Sequence, residues 1–299
     1  MDTNRETAET VGRHTFCPQR LGHIVLRRIL LLSALIAVAW PGACATSATR
    51  HAEKMAAMPD YFQAEKAYGE LPRGGAAYCG PTAAANALIW LDMNGFGSLH
   101  PAAAPDARDE FELIRALGTP KFMNTDPVTG TGPAGVMRGI ERYGAECGYR
   151  AAVEYAGWRT GLNRVSERPA IEWMRRGVAG TSNLLLNIGW YANEKEGAVR
   201  TRIGGHWITA VACETQGNET WLIIHDPAKR SQTPRRDSLK RCPVKCLLKP
   251  LAAGTTLRKK KDGDTFPGDG LFVLDGIPLK KGADLAILDG AVGFTLSPK

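Results

Sequence analysis

The stretch Tyr78-Cys79-Gly80-Pro81-Thr82-Ala83-Ala84-Ala85-Asn86-Ala87-Leu88 constrains this chain more than any other. Pro81 suits the first turn of a helix, where its fixed φ is pre-organised and its missing N–H has no partner to lose. Gly80 lets the backbone approach a neighbour closely, and the Ala- and Leu-rich run from Thr82 to Leu91 is a strong helix former. The cysteine therefore stands at a helix N-terminus. There the helix dipole and free N–H groups favour thiolate over thiol, and the same N–H groups can stabilise an oxyanion.

A nucleophilic cysteine needs a base. Ile203-Gly204-Gly205-His206-Trp207-Ile208-Thr209-Ala210-Val211-Ala212 reads as glycines followed by a strand that begins at or near His206. The turn-like Gln216-Gly217-Asn218-Glu219 then leads to a second strand, Trp221 to His225, and to Asp226-Pro227. Antiparallel pairing of the two strands sets Asp226 beside His206, where it can hold one ring nitrogen while the other faces Cys79. The bland readings are a buried core cysteine, a satisfied strand-end histidine and a turn aspartate. The three motifs in this order favour a site. Strand alternation sends His225 to the opposite face from Asp226, so it reads as structural.

Cys79-Gly80-Pro81-Thr82, the Gly-Gly-His206-Trp strand and His225-Asp226-Pro227 resemble the bacterial peptidase C39-like family of the papain-like cysteine peptidase superfamily. The resemblance spans roughly residues 60 to 230. It implies an α+β fold, with a helical half carrying the cysteine packed on an antiparallel β half carrying the histidine and aspartate. It also implies that Cys79 is the nucleophile, His206 the general base and Asp226 the orienting acid, acting on a peptide or protein substrate with no cofactor and no metal. The family usually has a glutamine about six residues before the cysteine to complete the oxyanion hole; here that position is Arg73. Gln63 can replace it only if the intervening loop folds back. Arg73 itself can donate, or the Cys79 N–H can act alone. Tyr78 and Trp207, next to nucleophile and base, are expected to line the substrate cleft. An amidase or acyl transferase on the same triad, or a binding protein that has lost turnover, are the alternatives.

The N-terminus looks like an export leader. Arg27-Arg28 precede the apolar run Ile29 to Trp40, followed by the small-residue site Pro41-Gly42-Ala43-Cys44-Ala45. Cleavage there gives a periplasmic or extracellular chain. Gly42-Ala43-Cys44 also resembles the end of a lipobox, which would lipidate Cys44 and make this leader the only membrane attachment. Residues 46–75 follow as a linker or arm, then a C39-like domain at 76–250. In 251–299, Gly270 to Leu274 and Ala286 to Leu288 read as short strands that either complete that domain or form an appendage.

The chain carries a net charge of +8, and the first 45 residues hold five arginines and three carboxylates, so most of the excess lies downstream. Much of it sits in Lys229-Arg230, Arg235-Arg236, Lys240-Arg241 and Arg258 to Lys261. No aromatic residues interleave with these clusters, which argues against nucleic acid and for solvated loop charge. Of seven cysteines, 17 and 44 lie in the leader. Cys79 is the natural free thiol in an oxidising compartment, while Cys242 with Cys246, and Cys147 with Cys213, are candidate pairs. Cys242 and Cys246 lack the second ligand pair of a persuasive zinc site. Helices are expected over Pro105 to Leu117, Pro133 to Tyr143 and Pro169 to Arg176, and strands over Ala151 to Tyr155 and Asn183 to Trp190. Asn124 to Gly132 reads as a structural turn, because no terminal glutamate completes a calcium loop. Trp158, Trp173, Trp190 and Trp207 read as core or cleft wall, with Trp207 the best placed to meet substrate.

Overall fold

A computed structural model describes residues 54–100, 107–194, 199–228, 243–259 and 263–299, all within one compact unit that runs from Cys44 to Lys299. The chain is a mixed α and β protein with a large mixed sheet. The export leader, Cys44 and Cys242 lie outside the described residues, as do the basic pairs between 229 and 241. Among the described residues no helix is long and apolar enough to cross a membrane.

A helical turn at 54–57 and a short 3-10 turn at Pro72–Gly75 precede α1, Cys79–Met93. Residues Cys79 to Leu91 of α1 are all buried. That explains its run of alanines: a helix covered on every side has no polar stripe, and small side chains let its neighbours come close. Two amphipathic helices pack beside it, α2 at Ala107–Gly118 and α3 at Pro133–Glu146. Phe111, Ile114 and Leu117 of α2 and Val136 and Ile140 of α3 face the shared core.

The described residues of the β part form ten strands. They are β1 Tyr149–Gly157, β2 Arg164–Ser166, β3 Asn183–Asn193, β4 Val199–Gln216, β5 Glu219–His225, β6 Val244–Pro250, β7 Thr256–Lys259, β8 Thr265–Pro267, β9 Phe272–Asp275 and β10 Leu285–Pro298. A fourth helix, α4 at Ile171–Val178, leads into β3. Six strands close a ring in the order β10-β3-β4-β5-β6-β9 and back to β10. Inside it lie Leu186, Ile188, Ile208, Leu222, Ile224 and Leu288. The outward residues of β3 and β4, including Leu185, Trp207 and Val211, join the helical core. Both faces of β3 are therefore buried, and its sequence is apolar at successive positions rather than at alternate ones.

Two long strands make this closure possible because each serves two partners on one flank. β10 meets β9 at Ile287 and β1 from Gly290 onward, with a bulge between Leu288 and Gly290. β4 pairs with β7 over Val199–Arg202 and with β5 from Thr209. The strands of residues 251–299 thus pair within the same sheet as those before them, and the short strand read at Ala286 to Leu288 belongs to a 14-residue one. Similarly, β4 begins at Val199, so His206 lies well inside its strand rather than near the beginning.

Between its partners β7 and β5, β4 leaves Ile203 to Ile208 with no strand on that flank among the described residues. The candidate site occupies this gap.

Candidate active site

The loop leading to α1 is bent by an unusual run of backbone. Arg73, Gly74 and Gly75 all have positive φ, 53°, 64° and 77°. Gly75 is obligatory, since a Cβ there would overlap the carbonyl oxygen of Gln63. At Gly80 a Cβ would stand 3.2 Å from Thr131 Cβ and 3.4 Å from Trp207 Cδ1. Gly80 thereby lets the start of α1 settle against both the 124–132 turn and β4. The Trp207 indole N–H donates to Thr131 O at 2.7 Å, and the Thr209 hydroxyl donates to Ala83 O at 2.9 Å, so two bonds lock α1 to β4. The first intrahelical bond runs from Thr82 N–H to Tyr78 O. The N–H groups of Cys79 and Gly80 precede it and have no intrahelical acceptor.

β5 ends at His225, opposite Thr209, three residues short of His206. The chain then curls across the open flank of β4, and Asp226 Oδ1 lies 2.6 Å from His206 Nε2. The Ala228 N–H also donates to Asp226 Oδ1, at 2.8 Å. The Cys79 thiol lies close enough to the imidazole to raise its pKa, so the three residues named from the sequence meet in one place. All three are buried. Burial pulls the His206 pKa down, but the Asp226 charge and hydrogen bond and the Cys79 sulfur outweigh it and push it up to about 10. An imidazolium held this firmly places a positive charge beside the sulfur.

Gln63 does fold back toward this loop. Its backbone N–H donates to Pro227 O at 3.0 Å, next to Asp226. Its side-chain amide, however, donates to Gly75 O at 2.9 Å and Ala76 O at 3.1 Å. Both amide hydrogens are spent on the loop, so Gln63 braces the approach to Cys79 and offers no donor to an oxyanion. Arg73 is exposed, and its charge reaches Asp126. Asp126 is held below its usual range first by the Thr129 and Val128 N–H groups of its own turn, with Arg73 adding to them. Gln63 does not fill the role expected of it.

The expected cleft residues also need correction. Tyr78 and Trp207 are 5% and 2% exposed and belong to the helical core. Tyr78 lies against Gly118, where any Cβ would collide with its ring, and burial raises its phenol pKa. The aromatic ring that does meet the base is Trp190, stacked on His206 at 6.2 Å between centroids and 21° between planes. Ile188 pairs with His206, which makes Trp190 its diagonal neighbour across β3 and β4. Only the strand register reveals that. The 124–132 turn, read as scaffold, packs against the start of α1 through Thr131.

His225 is fully buried and donates from Nδ1 to Pro59 O at 3.0 Å, tying the N-terminal arm to β5. Cys147 and Cys213 form no disulfide. Cys147 borders the helical core, whereas Cys213 lies inside the strand ring, where burial pushes its thiol up to about 11. Cys246 is also inside the ring and is pushed up to about 12. Its pairing with Cys242 involves a residue outside those described.

No model of a protein family matches this chain, and no curated protein sequence matches it either.

Proposed function

We propose that this chain is an exported cysteine peptidase of the C39-like kind, built on a papain-like version of the α+β fold. The observation that carries the reading is the contact of His206 with Cys79 on one side and Asp226 on the other, at the N-terminus of a buried helix. The Cys79 sulfur attacks a peptide carbonyl carbon to give a tetrahedral oxyanion. His206 passes its proton to the leaving amine as the C–N bond breaks, and a thioester remains on Cys79. A water molecule, deprotonated by His206, then releases the carboxylic acid and restores the thiol. Asp226 keeps the ring turned and stabilises its charged form.

The oxyanion would lie against the N–H groups of Cys79 and Gly80, without the Gln63 amide, which its own loop holds. Loss of one such donor costs about 2.7–4 kcal/mol of transition-state stabilisation, so turnover is slow for this chemistry. The engagement of Gln63 by its own loop also favours a second reading, a binding protein on the same fold that no longer turns over. Export rests on the sequence of the leader alone.

Iodoacetamide labelling of Cys79 at neutral pH, with hydrolysis of a mixed peptide library, tests the proposal. Fast labelling together with peptide cleavage, both lost in Cys79→Ala, is the expected result. Fast labelling without cleavage selects the binding protein. Labelling no faster than in the denatured chain removes the Cys–His pair altogether.

A further inference from the structure

Two consecutive glycines precede His206, and each leaves room for a cation. A Cβ on Gly204 would lie 2.9 Å from Lys280 Nζ, and one on Gly205 would overlap Arg202 Nη2. Lys280 comes from the segment between β9 and β10, is exposed, and reaches Ile203 O at 3.5 Å. Arg202 is the more constrained. Its side chain is 18% exposed, and its Nε donates to Asp289 Oδ2 at 2.7 Å. Asp289 is fully buried at the bulge of β10 and accepts a second bond from the Tyr191 hydroxyl at 2.8 Å. Gly189, the cross-strand partner of Gly205, makes space for this carboxylate: a Cβ on Gly189 would lie 2.6 Å from both of its oxygens.

The arrangement turns the guanidinium in one direction. Asp289 holds the Nε edge from below. Among the described residues no acceptor meets Nη1 or Nη2, and Nη2 lies over Gly205, itself exposed. The nearby carboxylate Glu194 is taken by Arg258 at 2.6 Å. Gly205 is one residue from His206, about 3.3 Å along an extended strand. A planar guanidinium with free paired N–H donors is the side chain best suited to a carboxylate, which it meets with two parallel bonds.

We infer that Arg202, presented by Asp289 and assisted by the charge of Lys280, binds a carboxylate of the substrate beside the bond that Cys79 attacks. The inference deepens the peptidase reading and rests on it for the identity of the bond. It defines the substrate class as peptides carrying a negative charge next to the scissile bond, either a terminal α-carboxylate or an acidic side chain.

The test compares iodoacetate with iodoacetamide as alkylating agents of Cys79 in the full chain, read by mass spectrometry. The two differ in the carboxylate, so their rate ratio isolates anion recognition from thiol reactivity. The ratio in the native protein is expected to exceed that of the denatured chain by about tenfold, which is 1.4 kcal/mol, and to fall back in Arg202→Gln. An equal ratio in native and denatured chain, or an unchanged one in Arg202→Gln, overturns the inference. Removing the guanidinium strands a buried carboxylate, so Arg202→Gln combined with Asp289→Asn serves where the single variant fails to fold. In the unaltered protein, acetyl-Ala-Ala, acetyl-Ala-Asp-amide and acetyl-Ala-Ala-amide are compared as protectants of Cys79. Better protection by the first assigns a terminal carboxylate, and better protection by the second an acidic side chain. Equal protection by all three overturns the subsite. Should iodoacetamide itself react at the denatured rate, the Cys–His pair fails while the ratio still reports on Arg202.

Discussion

His206 is the residue on which the site's electrostatics turn. Its ordinary pKa is near 6.5, and in the fold the ring's own burial lowers it while Asp226 and Cys79 raise it further, to about 10. A group whose pKa is raised on folding adds stability that is fully present below its unfolded value and is lost as pH climbs through the folded one. Thermal stability should therefore decline between pH 6.5 and 10, and His206→Gln should flatten that decline; an unchanged slope in the variant would assign it to other groups. Asp226→Ala removes the charge that holds the imidazolium. Labelling of Cys79 by iodoacetamide at pH 7 should then slow, because the ring is no longer held in place or in its charged form. A rate unaffected by Asp226→Ala would mean that the 2.6 Å contact is structural and the thiol answers to the helix N-terminus alone.

At the scale of elements, the site depends on how closely α1, its entry loop and β4 approach one another. The sequence showed the helix, the hairpin and the meeting of Cys79, His206 and Asp226, because each rests on local chemistry: a proline in a first turn, alternating apolar residues, a turn between them. It did not show Gln63 spent on the carbonyls of Gly75 and Ala76, Trp190 stacked on the base, or Tyr78 and Trp207 sunk into the core. Those depend on strand register and on a loop path that no local pattern specifies. Gly75 measures the cost of that path. With φ at 77° and the Gln63 carbonyl where a Cβ would go, Gly75→Ala should lower stability by about 3 kcal/mol or more. Gly74→Ala, at a φ of 64° but in open surroundings, should cost only about 1 kcal/mol. Equal losses in thermal denaturation would show that backbone conformation matters here and the packing of Gln63 does not.

For the whole molecule, the decisive fact is that the last strand closes the ring. β10 pairs with β1, β3 and β9, so strands from the middle of the chain find their partner only when its end is in place. The short apolar run Ala286 to Leu288 could not announce this, because much of the strand beyond it reads as glycine, alanine and polar residues that a bulge and two flanking strands accommodate. Such non-local pairing makes folding slow and the ring a single cooperative unit. Leu288 lies fully buried inside the ring, whereas Phe266 sits on β8, at the far end of the sheet path, and is only partly covered. Leu288→Ala should cost about 2–5 kcal/mol, with the labelling of Cys79 falling in step as the fold is lost, although β10 supplies none of the three site residues. Phe266→Ala should cost about 1 kcal/mol and leave labelling unchanged, since Phe266 is only partly covered and β8 is paired to the sheet through β7, away from the site. If urea unfolding of Leu288→Ala instead split into two transitions, with Cys79 still reactive after the first, the helical part with β3 and β4 would be stable without closure. The strand ring would then be an accessory to the site rather than its frame.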